Sequence, residues 1–447
     1  MPAVTTFRNP ILSIWQSALQ KARLSRPSPS ALERADSVSE TAQFAAAVRS
    51  LQPGGGAPKP EALGAAVGNC AQLAAQYVWA EIRRDQAQSQ ALEDQIRFGT
   101  CDPVWSVALS IYLAWKATAR SIPYVQYKAL TDFVLPLPDT DLVVGLIGDW
   151  GTGLDDADWL LQQVVAMTPK PNVIVHLGDI YYAGTEDEVK GNFLQIVNKR
   201  CPTMPVFTLS GNHDMYAGGK PYYWLLSQLN SSATPSLRQP ASYFCLRNKA
   251  WQLLAMDTGL HDSDPFSVNS NMTYLEPTEI AWHADKLQTA SGRKSLLFSH
   301  HQLFTSFDTG LGNNDAGQPS AINTKLLNAF QPYLKDVVAW FWGHEHNLEI
   351  FGPYLGLAKG RCTGASAIPE MSAQNPYSVN TGLSYAPVGT PPQLAADFKP
   401  LAVNSDGTYY HSFAILQLGV SGAGTAAYYQ IDSANLAQPQ CIFQEAL

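Results

Sequence analysis

Five apolar stretches in this chain are each followed by residues that can bind a metal ion. The clearest stretch, residues 173–177, is rich in β-branched side chains, as in a strand buried on both faces, and it is followed by Gly178 and Asp179. Tyr182 comes three residues after Asp179. Because ligands bind outside the carboxyl ends of strands in open α/β sheets, the repeated pattern predicts an α/β fold with one site at that edge.

The other four stretches end in a similar way. They are residues 141–147 before Asp149, 205–209 before Asn212, 295–298 before His300, and 336–342 before His344 and His346. A single Gly-Asp pair after a strand is often only a turn. Asn212 and His213 side by side are more specific, since this pair has little structural use at a strand end. All five endings together indicate a shared site.

Two helical patterns separate the first three predicted strands. The first has four apolar residues on one face, at Ala157, Leu160, Leu161 and Val164. The second begins with a possible capping box formed by Thr185 and Glu188. Successive strand–helix units of this kind build a parallel sheet.

Further strands are predicted in the later part of the chain, at residues 242–246, 251–256, 410–418 and 425–431, together with a helix at 278–287. The last two strands are expected to finish the chain. Residues 309–323 are rich in Gly and Asn, and residues 368–406 are rich in Pro, Asn and Ser. Both segments are expected to be surface loops that border the site.

Residues 1–138 have a different pattern, with Ala-rich helical periodicity interrupted by a Pro- and Gly-rich connector at residues 53–60. We predict a helical accessory domain here and a catalytic domain over residues 139–447. No motif in the first region points to chemistry. It could be a plain accessory domain, a surface for a protein partner, or a cover over the active site.

The composition limits the partners and the compartment. A formal net charge of −8 argues against nucleic acid as the main partner, but a bound metal ion can still attract a small phosphorylated substrate. The six cysteines form no CxxC pair, which favours neither a disulfide framework nor a thiolate zinc site. No secretory signal and no membrane-spanning stretch is recognisable. We therefore expect a soluble, cytoplasmic protein by default, with export by another route left open.

Seven side chains are candidate metal ligands: Asp149, Asp179, Tyr182, Asn212, His300, His344 and His346. Carboxylate, amide oxygen and imidazole suit borderline-to-hard transition metals. Seven groups exceed what one ion needs, whereas two ions that share one carboxylate would use them all.

The order of these motifs resembles the calcineurin-like metallophosphoesterases over roughly residues 140–432. In that superfamily the first motif usually reads Asp-x-His, whereas this chain has Asp149, Trp150 and Gly151. The missing ligand is matched by Tyr182 in a Gly-Asp-x-x-Tyr motif, which is similar to the purple acid phosphatases. Asp214 stands where that branch usually has Glu, and the predicted helical region stands where its plant members have a β-sandwich.

The resemblance implies a four-layer α-β-β-α sandwich. It also implies that Asp149, Asp179, Tyr182 and His346 hold one metal ion, that Asp179, Asn212, His300 and His344 hold the other, and that Asp179 bridges them. A phenol ionises only beside a strong Lewis acid, so Tyr182 favours Fe(III) at the first position. The second position suits Zn, Mn or Fe(II). Tyr182 could instead be a packed aromatic residue beside the site, and Tyr181 is expected to be structural.

The same resemblance implies phosphate monoester hydrolysis by in-line attack of a metal-activated hydroxide. His213 is our candidate for assisting the leaving group, Asp214 for orienting His213, and His301 for a second donor. One alternative is a phosphodiesterase acting on nucleotide or lipid-type diesters. Another is a protein that binds a partner through its helical region and retains only a vestigial metal site.

Overall fold

The computed structural model describes residues 111–112, 115–118, 120–230, 235–264, 271–307, 310–368, 370, 372, 375–404, 408–432 and 437–447. The chain divides into two compact units, Met1–Leu113 and Ala114–Leu447, and the elements given below all belong to the second. The predicted helical region lies mostly outside the described residues, so its existence and the proposed boundary at residue 138 stay predictions.

Two β-sheets form the centre of the described unit. In chain order the strands are β1 (Val134–Pro136), β2 (Leu142–Ile147), β3 (Val173–His176), β4 (Val206–Thr208), β5 (Phe244–Arg247), β6 (Trp251–Ala255), β7 (Lys294–Phe298), β8 (Val337–Trp342), β9 (Leu348–Ile350), β10 (Gly360–Thr363), β11 (His411–Leu418), β12 (Gly424–Ile431) and β13 (Gln440–Ala446). The first sheet has the order β1-β5-β6-β7-β8-β10-β9, and the second has the order β13-β12-β11-β2-β3-β4.

Helices cover the outer faces of both sheets. They are α1 (Asp155–Ala166), α2 (Glu186–Glu188), which continues through a π-helical segment (Val189–Leu194) into α3 (Gln195–Arg200), then α4 (Lys220–Gln228), α5 (Pro277–Gln288) and α6 (Thr324–Phe330). The predicted capping box at the start of α2 is present, with the Thr185 side chain accepting from the Glu188 N–H. No helix among these described residues is long and apolar enough to cross a membrane.

Successive side chains of a strand face opposite sides of its sheet, and this alternation produces the layers. In β2, Val144 and Leu146 pack into the core between the two sheets, whereas Val143 and Ile147 pack with α1 on the outer side. In the first sheet the outer core includes Trp340 of β8 together with residues of α5 and α6. Strands buried on both faces read as continuous apolar runs, which explains why the sequence showed them clearly. The predicted four-layer sandwich is confirmed.

The pairing register of the parallel strands places their carboxyl ends at one edge of the sandwich. β2, β3 and β4 are parallel, and Ile147, His176 and Thr208 lie side by side. β6, β7 and β8 are also parallel, with Phe298 beside Phe341. The polar residues that follow these strands therefore meet at the same end of the sandwich.

Several short elements were not predicted: β1, β9, β10, β13, α4 and α6. The expectation that two late strands finish the chain was wrong, because β13 pairs with β12 along the edge of the second sheet. Its burial alternates only weakly, so its sequence carries little periodic signal. β1 lies within the segment assigned to the accessory region, yet it pairs in parallel with β5.

Candidate metal centre

Three candidate ligands lie at strand ends in an unusual backbone conformation. Asp149, Asp179 and His344 have φ angles of 54°, 75° and 68°, in the left-handed region that non-glycine residues seldom adopt. Such strain persists where surrounding structure enforces it, and it is found at functional sites. In each case it turns the side chain away from the strand and into the edge where the two sheets meet.

Two glycines give these side chains room. A Cβ at Gly211 would lie 2.0 Å from Asp179 Oδ1, and a Cβ at Gly343 would lie 2.5 Å from Asp149 Oδ2. Real Cβ atoms essentially never come within 3.0 Å of such neighbours. The glycines before Asn212 and His344 are therefore needed for space.

Four ligand atoms of the predicted second metal position converge. Asn212 Oδ1 lies 3.2 Å from His300 Nε2 and 3.1 Å from His344 Nδ1, and these two ring nitrogens are 3.2 Å apart. The centre of this triangle is about 1.8 Å from each atom, so an ion slightly off its plane would have bonds near the usual length of about 2.0–2.2 Å. Asp179 Oδ2 is 3.4 Å from His300 Nε2, on the side facing the other carboxylate.

A hydrogen bond at the ring nitrogen that faces away from Asn212 fixes the orientation of His300. Its Nδ1 lies 2.9 Å from the carbonyl oxygen of Leu177, which can only accept a hydrogen bond. The Nδ1 atom therefore carries a proton, and Nε2 is the atom that would bind a metal ion between Asn212 and His344. A hydrogen bond from the second ring nitrogen to a carbonyl oxygen is typical of metal-binding histidines.

The predicted first metal position contains Asp149 and His346, with His346 Nε2 3.8 Å from Asp149 Oδ1. The phenol beside them belongs to Tyr181, which donates to Asp149 Oδ1 at 2.8 Å and lies 3.3 Å from His346 Nε2. Tyr182 contributes main-chain groups: its N–H donates to Glu188, and its carbonyl faces His213. The structure thus brings six of the predicted ligands together and places the Tyr181 hydroxyl beside two of them, Asp149 and His346. Tyr182 as a ligand stays a prediction.

His213 lies beside Asp179, the predicted bridging carboxylate. Its N–H donates to Asp179 Oδ1 at 3.0 Å, and its Nε2 is 3.8 Å from Asp179 Oδ2. Its Nδ1 lies 2.6 Å from the Tyr182 carbonyl, which orients the ring. Asp214 accepts instead from the backbone N–H groups of Asp179 and Gly211. Through these contacts Asp214 supports the loop that carries Asp179, and its predicted action on His213 remains a prediction.

His301 is placed at the mouth of the site. Its ring centre is 4.4 Å from that of His344, its Nε2 lies 2.8 Å from Asp262 Oδ2, and its Nδ1 lies 3.0 Å from Thr258 Oγ1. A cleft with about 280 Å³ of empty space opens here, lined by His301, His344, Asp262 and neighbouring polar residues. Sequence patterns gave no sign of Asp262 or Thr258, because their contacts span about 40 residues of chain.

Burial and neighbouring charges shift the pKa values of the carboxylates and of His300 in the site. Burial raises the pKa of Asp149 to about 7, with Asp179 adding to the rise and His300 opposing it. Burial alone would also raise the pKa of Asp179, but His300 and His213 outweigh it and hold that pKa well below its usual range. Burial would lower the pKa of His300, yet the surrounding carboxylates raise it to about 9.

These shifts and distances fit a metal centre. Ligand atoms of Asp149, Asp179 and His300 lie within 4.8 Å of one another, as do those of His300, His301 and His344. Protons held between such groups mark places where a cation would be stabilised. The donor set of carboxylate, amide oxygen and imidazole suits the metals inferred from the sequence.

A comparison with protein-family models agrees with this geometry. The family model described as calcineurin-like phosphoesterase matches residues 142–348. No curated protein sequence matches the chain significantly. Among solved structures, the chain is similar to GAP50, the anchor in the inner membrane complex of Plasmodium, with 16% identity and a TM-score of 0.45 over 69% of this chain and 89% of that one.

Two further structures are similar at comparable levels. Purple acid phosphatase PPD1 from yellow lupin (Lupinus luteus) seeds has 14% identity and a TM-score of 0.45, over 70% of this chain and 55% of that one. PhoD has 11% identity and a TM-score of 0.41, over 69% of this chain and 73% of that one.

The family match spans the strand ends described above, from Asp149 to His346. The family match, the fold and the clustered candidate ligands are consistent with one another. Residues 142–348 of this chain match the calcineurin-like phosphoesterase family.

Proposed function

We propose that the protein hydrolyses phosphate monoesters with the help of two metal ions. The observation that carries this proposal is the convergence of Asn212, His300 and His344 on one point, next to the Asp149–His346 pair, with Asp179 between the two groups. When bound, the ions supply positive charge for the phosphate oxygens and lower the pKa of the attacking water.

The residues of this chain hold and orient the reacting groups. Asp149 and His346 would bind one ion, and Asn212, His300 and His344 the other, with Asp179 shared. His213 is the proposed donor to the leaving oxygen, because it is only 7% exposed, lies beside Asp179 and has its Nδ1 oriented by a carbonyl. His301, paired with Asp262, is the proposed second donor on the cleft side.

The branch and the metals are also part of the proposal. A phenol beside Asp149 and His346 supports a purple acid phosphatase-like centre with Fe(III) in the first position. Zn, Mn or Fe(II) would occupy the second, whose donors are two imidazoles, an amide oxygen and the shared carboxylate.

The test compares rates on an aryl phosphate monoester and the matching diester, together with metal content. Wild-type protein is expected to bind about two metal ions and to favour the monoester. Asp179→Asn is expected to lower kcat/KM by roughly 10³-fold or more, because both metal positions lose their shared carboxylate. Asp336→Asn, at an exposed position, is the matched control and should retain wild-type rates.

Two results would contradict the proposal. A strong preference for the diester would indicate a phosphodiesterase. Freshly purified protein that takes up no metal would indicate a vestigial site and a binding role.

A further inference from the structure

The cleft beside the second metal position is small. It is bordered by His301 and by His344, which is also a candidate ligand. Because His344 belongs to both places, a phosphate held at the metal position would have its alcohol portion reach into the cleft. The empty space of about 280 Å³ is just below the roughly 300–1,000 Å³ that is usual for small-molecule pockets, so a small alcohol portion fits best.

We propose that this cleft selects monoesters of small, uncharged polyhydroxy alcohols, such as polyols and simple sugars. It discriminates against substrates whose alcohol portion carries a negative charge. The inference rests on the proposed monoester hydrolysis and names the substrate class of that same site.

The walls of the cleft come from two stretches of chain that contain no Lys and no Arg. Residues 257–285 and 295–324 supply all the described lining residues except His344. Recognition of a second phosphate or of a carboxylate commonly uses Arg or Lys. In this cleft such an anion would instead meet the carboxylate of Asp262, and the two like charges would repel each other.

Two lysines from elsewhere in the chain bind to the first of these stretches. Lys325 Nζ donates to the Met272 carbonyl at 2.9 Å and lies 4.5 Å from the centre of the Tyr274 ring. Lys116 Nζ lies 2.9 Å from Asp264 Oδ2. Each ammonium group is thus bound to groups of the protein, and neither lysine is among the described residues that line the cleft.

Neutral groups provide the polar surface of the cleft. The side chains are those of Asn271, Thr273, Gln302 and Asn323. Amide groups offer both donors and acceptors, and the hydroxyl groups of a polyol need both. Leu311 is the one aliphatic residue among the described lining residues, so a long apolar alcohol portion would bury little surface there.

Hydrogen bonds fix these walls in place. Thr273 Oγ1 donates to the Thr258 carbonyl at 2.6 Å, and Asn323 Nδ2 donates to the Thr273 carbonyl at 3.0 Å. The two stretches also touch, because a Cβ at Gly312 would lie 2.4 Å from the Met272 nitrogen. A preformed polar cleft needs little ordering when a substrate binds, which favours discrimination between alcohols of similar size.

The experiment compares kcat/KM of metal-loaded full-length protein on three esters of similar size. Glycerol 3-phosphate has two free hydroxyl groups, 3-phosphoglycerate replaces one of them by a carboxylate, and propyl phosphate has none. Wild type is expected to favour glycerol 3-phosphate over 3-phosphoglycerate by at least ~10-fold, because of the repulsion by Asp262. It should also favour it over propyl phosphate by about 10-fold, because the amide groups lose their partners.

Asn271→Lys places a cation at an exposed position of the cleft wall. We expect the preference for glycerol 3-phosphate over 3-phosphoglycerate to fall at least ~5-fold, because the new charge attracts the carboxylate. A ratio measured within each protein cancels differences in the amount of folded enzyme. Gln444→Lys, at an exposed position of β13, makes the same change in charge and is the matched control that should keep the wild-type ratio.

Three results would overturn the proposal: equal or faster hydrolysis of 3-phosphoglycerate, equal or faster hydrolysis of propyl phosphate, or a wild-type ratio in Asn271→Lys. An aryl phosphate monoester separates these outcomes from failure of the proposed function. If the aryl ester is hydrolysed and the preferences are absent, the cleft proposal alone fails. If no monoester is hydrolysed with any metal pair, the phosphatase proposal fails and the cleft proposal falls with it.

Discussion

At the scale of single residues, the site depends on positions where almost no other side chain would fit. Asp149, Asp179 and His344 adopt left-handed backbone angles, and glycines at 211 and 343 leave space for the two carboxylates. Ligand residues are easy to recognise in the sequence because of their chemistry. The glycines matter equally, since they decide where the ligand atoms can lie.

Gly211→Ala tests this spacing. Gly211 does not have a positive φ angle, so the backbone tolerates alanine, but the new Cβ would displace the Asp179 carboxylate. We expect weaker metal binding and roughly 10²-fold lower kcat, because a shift of about 1 Å in a reacting geometry has that effect. Metal content and steady-state kinetics measure it.

The matched control is Gly191→Ala, in the π-helical segment, where a Cβ would meet nothing within 4 Å. It should leave activity unchanged and be neutral or slightly stabilising, by up to about 1 kcal/mol. Equal effects of the two substitutions would contradict the spacing argument.

At the scale of elements, charged contacts tie the helices of the second sheet together. Asp158, in the first turn of α1, accepts from Arg200 Nε at 2.6 Å and from Lys199 Nζ at 2.7 Å, both at the end of α3. Hydrogen bonds from Arg200, followed by those from Lys199, lower the pKa of Asp158 to about 2. The contact therefore favours the folded state whenever Asp158 is ionised.

Asp158→Asn should destabilise the metal-free protein by about 1–2 kcal/mol at pH 7, less than the full pKa shift implies because the pair is partly exposed. A lowered folded-state pKa gives stability that is present above the ordinary pKa of 3.8 and is lost as the pH falls through about 2. The difference between variant and wild type should thus be constant from pH 7 to about 4 and shrink below that.

Urea unfolding across this pH range is the measurement. Glu186→Gln serves as control, because it removes an exposed pair between Glu186 of α2 and Lys190, and we expect it to leave the stability unchanged. A difference for Asp158→Asn that grows as the pH falls would have the wrong sign for this explanation.

At the scale of the whole molecule, a buried ion pair links the two sheets. Arg361 of β10 lies in the first sheet and binds Glu445 of β13 in the second through two hydrogen bonds of 2.7 and 2.6 Å. Arg361 also donates to the Phe351 carbonyl, and Tyr428 donates to Glu445. The last strand of the chain is thereby fixed against the opposite sheet.

Glu445→Ala should destabilise the protein by about 3–5 kcal/mol, because it leaves the 3% exposed Arg361 charged and without its carboxylate. The double variant Arg361→Met, Glu445→Leu should recover most of that loss, since an apolar pair of similar volume carries no buried charge. Chemical denaturation of all three proteins measures this. A double variant less stable than Glu445→Ala would show that the pair itself, and not the orphaned charge, decides stability.

The sequence by itself determined the central strands, the order of the ligand motifs and their convergence. Each central strand is a continuous apolar run, and parallel strands place their carboxyl ends at one edge whatever the details of packing. Asn212, His300 and His344 therefore meet as the sequence predicted.

Only the tertiary structure decided the short edge strands, the partners of His213 and His301, and the contact between Tyr181 and Asp149. β13 is defined by its pairing with β12, and the Asp262–His301 contact joins distant segments. The direction of a side chain after a strand depends on what the backbone packs against. Here that neighbour is Gly151, brought beside Ile180 by the pairing of two strands, and it turns Tyr181 toward Asp149.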